Sequence, residues 1–256
     1  MWYGDSAAAN LAVVELTRSG ASGICSGYFI TRRHIMTAAH CTDSFYSSQW
    51  YQVRAKTGYT TFMNLTDSAR TDNWILMEEH AAPGWDFNAQ SASTDTAILT
   101  LPSTAWASVV ANQDVMRIST AAPYLTQPLS IWGWGARHPT DTAGAGDLLT
   151  GATFSQVYVS SVPGDGSFYA VALTNARTCK GDSGGPATRY YDNAYIAAGT
   201  HRGATTLGCA ELGANMTWSD LSNKTSWIQD TLRLSFGPSF ACSHFASGAN
   251  AYMKCF

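Results

Sequence analysis

The chain has 256 residues, 45% of them hydrophobic and only 13% charged, with a formal net charge of −3 at pH 7. That is too apolar for a disordered chain and long enough for one large or two small packed domains, and there is no Lys/Arg run to mark a nucleic-acid or membrane-surface partner. No apolar stretch approaches the roughly 20 residues a membrane helix needs, and Met1-Trp2-Tyr3-Gly4-Asp5 has neither a basic nor an apolar leader, so a mature form is expected, with Met1 an addition to it.

Apolar runs of strand length occur at residues 11–16, 27–30, 50–55, 74–77 and 96–101. A middle punctuated by Pro, Ser and Thr (residues 102–128) separates them from a second series at 129–134, 154–160, 168–173 and 195–200. Many short strands without βαβ alternation predict an all-β sandwich or barrel. Residues 222–234 break the pattern: Trp227, Ile228, Thr231 and Leu232 fall on one helical face, and Ser222 or Asn223 is placed to cap its start. Beyond this helix, Phe236-Gly237-Pro238 leads into a tail bounded by Cys242 and Cys255.

Three segments carry chemistry. Gly181-Asp182-Ser183-Gly184-Gly185-Pro186 sets a serine in a glycine-rich turn that lets a substrate backbone approach closely and is suited to aiming the amides of Gly181 and Ser183 at a developing oxyanion. A serine hydroxyl is a weak nucleophile without a base, so a histidine and an orienting acid are expected elsewhere. Thr37-Ala38-Ala39-His40-Cys41 and Asp95-Thr96-Ala97-Ile98-Leu99 supply them.

In the order His, Asp, Ser, these segments resemble the trypsin/chymotrypsin-type serine proteases, and Ile131-Trp132-Gly133-Trp134-Gly135 resembles that family's Gly-Trp-Gly strand. The resemblance runs from about residue 4 to residue 234. It implies an all-β fold of two antiparallel six-stranded β-barrels with a C-terminal helix. The first barrel would span residues 1–110, a crossing 111–127, and the second barrel with its helix 128–234, leaving 235–256 as a disulfide-closed surface appendage. It also implies that Ser183 attacks a peptide carbonyl, that His40 serves as base and then acid, that Asp95 orients His40, and that Gly181 and Ser183 donate the oxyanion hole.

The cysteine spacings alone do not choose a pairing. The resemblance implies Cys25–Cys41, pinning the histidine loop, and Cys179–Cys209, joining the walls of the specificity pocket, which leaves Cys242 and Cys255 to close the tail. Three bridges imply an oxidising, extracellular compartment. Without Cys-x-x-Cys or His-x-x-x-His spacing, neither metal nor cofactor is expected. The carboxylates Asp67, Asp72, Glu78 and Glu79 lie where some relatives bind calcium, but Trp74-Ile75-Leu76-Met77 interrupts them, and His34, His80, His138 and His244 read as surface residues.

Gly199-Thr200-His201-Arg202-Gly203 resembles the Gly-x-His-x-Gly signature of glutamyl endopeptidases, which implies a pocket formed by His201, Gly203, Thr178 and Arg177 and cleavage after Glu before Asp. Arg177 stands where Lys/Arg-specific relatives carry an aspartate, which argues against basic substrates. An apolar or broad preference, and an inactive protease-fold binding module, stay open as alternatives. Two departures stand beside the resemblance. Arg202 replaces a serine that supports the aspartate, and the N-terminus lacks the Ile-Val-Gly-Gly whose freed amine pairs with the aspartate matching Asp182. The expected partners are a polypeptide substrate and a proteinaceous inhibitor, with no nucleic acid or membrane, and the expected state is a secreted monomer.

Overall fold

The computed structural model describes residues 5–6, 12–21, 23–42, 48–56, 62–105, 115–136, 153–172, 177–204, 209 and 213–255. His138 and the first residues of the stretch expected to cross between barrels, 111–114, lie outside these residues. The first strands are β1 (Asp5–Ser6), β2 (Val13–Arg18), β3 (Ile24–Thr31), β4 (His34–Thr37), β5 (Ser48–Lys56), β6 (Phe62–Asn64), β7 (Ile75–Ala81) and β8 (Ala97–Thr100). Pairing runs β2-β3-β4-β8-β7-β5 and closes from β5 back to β2, so six antiparallel strands form a barrel, with β6 continuing from β5.

The next set is β9 (Arg117–Ser119), β10 (Pro128–Gly133), β11 (Thr153–Ser161), β12 (Ser167–Ala172), β13 (Pro186–Tyr191), β14 (Ala194–Ala204) and β15 (Met216–Asp220). A second antiparallel ring of six follows the order β10-β11-β12-β15-β14-β13 and closes from β13 to β10.

The period of two along each strand explains the packing. Val14 and Leu16 of β2, Phe29 of β3, Ile35 of β4 and Leu99 of β8 fill the first barrel. Their neighbours Val13, Tyr28, Ile30, Met36 and Ile98 face the other way, into a seam shared with Trp132 and Trp134 of the second half. A strand buried on both faces reads as a continuous apolar run, which is why these segments are apolar without alternation. In β5 the outer face is wetter, and Tyr51, Val53 and Ala55 point in while the residues between them are half-buried.

Helix α1 (Thr225–Phe236) lays Ile228 and Leu232 on the seam. Neither Ser222 nor Asn223 caps it. A 3-10 turn, Ser222–Lys224, leads in instead, and the Asp220 carboxylate takes the backbone N–H and hydroxyl of Ser222. The tail is likewise not an appendage. Strands β16 (Ser243–Phe245) and β17 (Tyr252–Lys254) form a hairpin, β17 pairs with β9, and β9 runs parallel to β14. The segment expected as a crossing thus donates a strand to the second sheet, and the tail extends it. Met253 is fully buried in the seam, and Arg189 donates to the carbonyls of Ala249 and Ala251.

Candidate active site

The antiparallel pair β4–β8 sets Thr37 opposite Ala97, so the residues just past the end of β4 and just before the start of β8 are neighbours. His40 follows β4 in the 3-10 turn Ala39–Cys41, and Asp95 closes the turn Ala92–Thr94 ahead of β8. The Asp95 carboxylate is fully buried and accepts both the His40 backbone N–H, at 2.9 Å, and its ring Nδ1, at 2.7 Å. A carboxylate only accepts, so Nδ1 carries the hydrogen and Nε2 is left with its lone pair. The Cys25–Cys41 bridge pins this turn to β3. The two sulfurs beside His40 are bonded to each other and so are not thiolate ligands.

Ser183 comes from the second half of the chain and is half-buried in the same cleft as His40. Its turn needs left-handed backbone at Gly181 (φ +90°) and Gly184 (φ +84°), and a Cβ on Gly184 would stand 2.1 Å from the Ser26 carbonyl oxygen. Within the turn, the amides of Asp182, Gly184 and Gly185 are committed to the carbonyls of Cys179, His201 and Asp182. Those of Gly181 and Ser183 find no acceptor among the described residues. The direction of these two amides is nonetheless fixed. A peptide unit is planar, so holding its carbonyl holds its N–H. The carbonyl paired with the Gly181 amide is that of Lys180, held by the Ala136 N–H at 2.8 Å, and the one paired with the Ser183 amide is that of Asp182, held by the Gly185 N–H at 3.0 Å.

Ser26 on β3 was not singled out from sequence, yet it joins the two halves. Its backbone N–H donates to the Ser183 carbonyl at 2.7 Å and its hydroxyl to the Gly181 carbonyl at 2.7 Å, while the hydroxyl oxygen accepts from the Trp134 N–H at 2.9 Å. Only its place beside Cys25 hinted at this. Asp182, also buried, is held by the amides of Gly135 (2.9 Å) and Cys179 (2.7 Å). Arg202 forms a bulge in β14, which brings its guanidinium Nε to 3.9 Å from Asp95 and 3.1 Å from the Gln90 carbonyl, and its own carbonyl accepts the Ser183 hydroxyl at 3.2 Å.

The residues expected to line the specificity pocket come from the segment before the turn and from β14. His201 is tied to the turn twice, donating its N–H to Gly185 and accepting from Gly184, each at 2.8 Å. Its ring packs against Trp218 at 4.8 Å and its Nδ1 lies 3.1 Å from the Thr217 carbonyl. Burial pushes its pKa down to about 3. Gly203 follows on β14, Arg177 is half-buried, and the Thr178 hydroxyl is buried with no hydrogen-bond partner among the described residues. The Cys179–Cys209 bridge is present, as is Cys242–Cys255.

His34, read as a surface residue, is instead fully buried between Thr31 and Ser235, and burial lowers its pKa to about 3. The carboxylates weighed for calcium are engaged separately: Asp72 with Arg70, Glu78 with His80, Glu79 with the Tyr51 hydroxyl, and Asp67 with the Ala69 amide.

Residues 2–218 match the Trypsin family model. The chain is 26% identical over 223 residues to bovine chymotrypsin-like elastase family member 1, covering 81% of this chain and 78% of that protein. It is 27% identical over 225 residues to mouse kallikrein 1-related peptidase b26, covering 82% and 80%. The structure of mouse neuropsin, a serine protease, superposes with a TM-score of 0.67 over 91% of this chain and all of the other, at 18% identity, a likeness of fold.

Proposed function

Because the chain belongs to the trypsin family, we propose that it is a secreted serine endopeptidase that cuts peptide bonds through an acyl-enzyme. One observation carries the reading: the buried Asp95 carboxylate holds Nδ1 of His40, with Ser183 in the same cleft. In this reading Ser183 attacks the carbonyl, His40 takes its proton at Nε2 and returns it to the leaving amine, and Asp95 keeps the ring in that tautomer and stabilises the imidazolium. The uncommitted amides of Gly181 and Ser183 form the oxyanion hole. Their pinned peptide units favour this, because donors already aimed need no reorganisation as charge develops. The Arg202 guanidinium stands in place of the family's serine as a support for Asp95. The three bridges and the extracellular nature of such proteases support secretion.

For the residue before the cut bond, an acidic guest is supported by two features of the His201 side. The Thr178 hydroxyl is a buried donor without a partner among the described residues, and such a group gains most when a ligand satisfies it. With its Nδ1–H on the Thr217 carbonyl, His201 keeps the lone pair of Nε2 for a guest. Burial keeps that imidazole neutral, so Nε2 accepts, and the guest must bring a hydrogen: a Glu carboxyl carrying a proton, or a Gln amide.

The test is labelling with a fluorophosphonate probe. Ser183 should be modified in the folded, disulfide-intact protein, and Ser183→Ala should abolish both labelling and turnover, with kcat down about 10⁴-fold or more. A folded protein whose Ser183 never reacts would instead be a protease-fold binding module.

A further inference from the structure

A pocket of about 330 Å³ opens between the start of β10, the strand β13 and the turn Gly248–Asn250 within the tail that Cys242 and Cys255 close. It shares no lining residue with the cleft that holds His40 and Ser183. The segments that form it, 124–130, 188–190 and 248–251, are all among the described residues. Arg189 lines it and is only 7% exposed. Of the five N–H groups a guanidinium carries, one on each Nη goes to a tail carbonyl, of Ala249 and of Ala251. Its Nε–H is buried without a partner, and no carboxylate pairs with it among the described residues. Burial disfavours this charge, yet a guanidinium keeps it at any pH the protein tolerates. A buried cation without a counter-ion is costly, and a ligand that supplies one recovers that cost.

The other polar groups of the lining also donate. The Gln127 carboxamide oxygen accepts the Tyr124 backbone N–H at 3.2 Å, which leaves its NH2 as a donor, and Asn250 adds a second, exposed amide. Tyr124 and Tyr190, 50% and 63% exposed, contribute two rings. We propose that this pocket binds a carboxylate carried on an aromatic body, with Arg189 and Gln127 taking the carboxylate and the two tyrosines taking the body. A guanidinium fork matches a carboxylate, and tyrosine rings favour a flat apolar partner. The volume lies at the low end for small-molecule sites, so it suits one residue or a small acid and not an extended segment. The tail wall lies beyond residues 2–218, the part of the chain that matches the family. The inference does not depend on the reading of Ser183.

The test is calorimetric titration of the disulfide-intact protein with N-acetyltyrosine and with its neutral amide, N-acetyltyrosinamide. The acid should bind with a Kd of about a millimolar or tighter and the amide roughly tenfold more weakly, and raised salt should narrow the gap. Arg189→Gln should erase the preference for the acid. Because Arg189 also holds the tail, Tyr190→Ala, a change at an exposed ring, gives an independent check and should weaken both ligands several-fold. Two further probes identify the source of the carboxylate: 4-hydroxyphenylacetate stands for a small free acid, and the tripeptide Gly-Gly-Tyr for a peptide C-terminus. Equal binding of acid and amide, or no binding of either at roughly 10 mM, overturns the inference. So does a preference that survives in folded Arg189→Gln, or binding untouched by Tyr190→Ala. Protection of Ser183 from the fluorophosphonate by saturating acid would place the ligand in the catalytic cleft and overturn it as well.

Discussion

On the His201 side of Ser183, two of the groups that would meet substrate are buried and uncharged: an imidazole held neutral by burial and a threonine hydroxyl without a partner among the described residues. In the pocket beside the tail the buried group is a permanent cation, Arg189. The turn of Ser183 leads into β13, which carries Arg189, so the difference teaches how neighbouring stretches of one chain can discriminate by two physical means. Buried neutral groups choose by hydrogen-bond pairing and respond to pH. A buried cation chooses by charge and responds to salt.

The largest effect is expected in the turn itself. Gly184 has φ of +84°, and an added Cβ would meet the Ser26 carbonyl at 2.1 Å and the Thr37 hydroxyl at 2.2 Å. Because its N–H also bonds the His201 carbonyl, Gly184→Ala moves the turn against Ser26 and His201 at once. Turnover should be lost on every peptide, with destabilisation of about 3 kcal/mol or more from strain and collision combined. Retained activity with a native denaturation midpoint would show that the turn yields, and the account of pinned amides would fail with it.

That turn also marks what the sequence disclosed and what it hid. His40, Asp95 and Ser183 could be read because their neighbours are types the local geometry requires: a cysteine that ties the histidine turn, an apolar strand that follows the acid, glycines that permit the bend. Ser26 could not, since its hydroxyl acts on a carbonyl 155 residues away and a lone strand serine carries no mark of that. His34 looked exposed because it follows Arg32 and Arg33, yet β4 is buried on both faces and α1 covers it through Ser235. The barrels were readable from apolar runs, whereas β9 and β17, three residues each, are too short for a periodicity and exist because each completes the other's hydrogen bonds. The helix face was readable and its cap was not, because Asp220 competes for Ser222.

A second prediction sharpens the neutral half of the comparison. His201 and His34 have native pKa values pushed down to about 3 from an ordinary 6.5. Between those limits the unfolded chain binds more protons than the folded one, so stability is full above about pH 6.5 and falls as pH falls. The slope is about 1.4 kcal/mol per pH unit for each histidine. Glu15 and Asp220, whose pKa values burial raises, act oppositely, gaining protons in the native state first and softening the loss at the acid end. Denaturant midpoints should drop between pH 7.5 and 5.5, and His34→Gln should remove about half of that dependence. A flat profile would mean that these rings are charged or hydrated.

The smallest effect is confined to one class of substrate. His201→Val keeps a strand-compatible shape but removes the ring nitrogen offered to the guest. Cleavage after Glu and Gln should fall roughly tenfold, because the guest's buried donor is left unpaired at a cost of about 1–3 kcal/mol, while cleavage after apolar residues is spared. In the wild type the same ring makes Glu and Gln diverge with pH. Since Nε2 accepts, Glu must enter with a proton while Gln brings its own, so the Glu/Gln ratio of kcat/KM should fall by up to about tenfold per unit as pH rises from 6 to 8. A Glu/Gln ratio that ignores pH but shrinks with salt would place a permanent cation, such as Arg177, in contact with the guest. The two regions would then work by the same means.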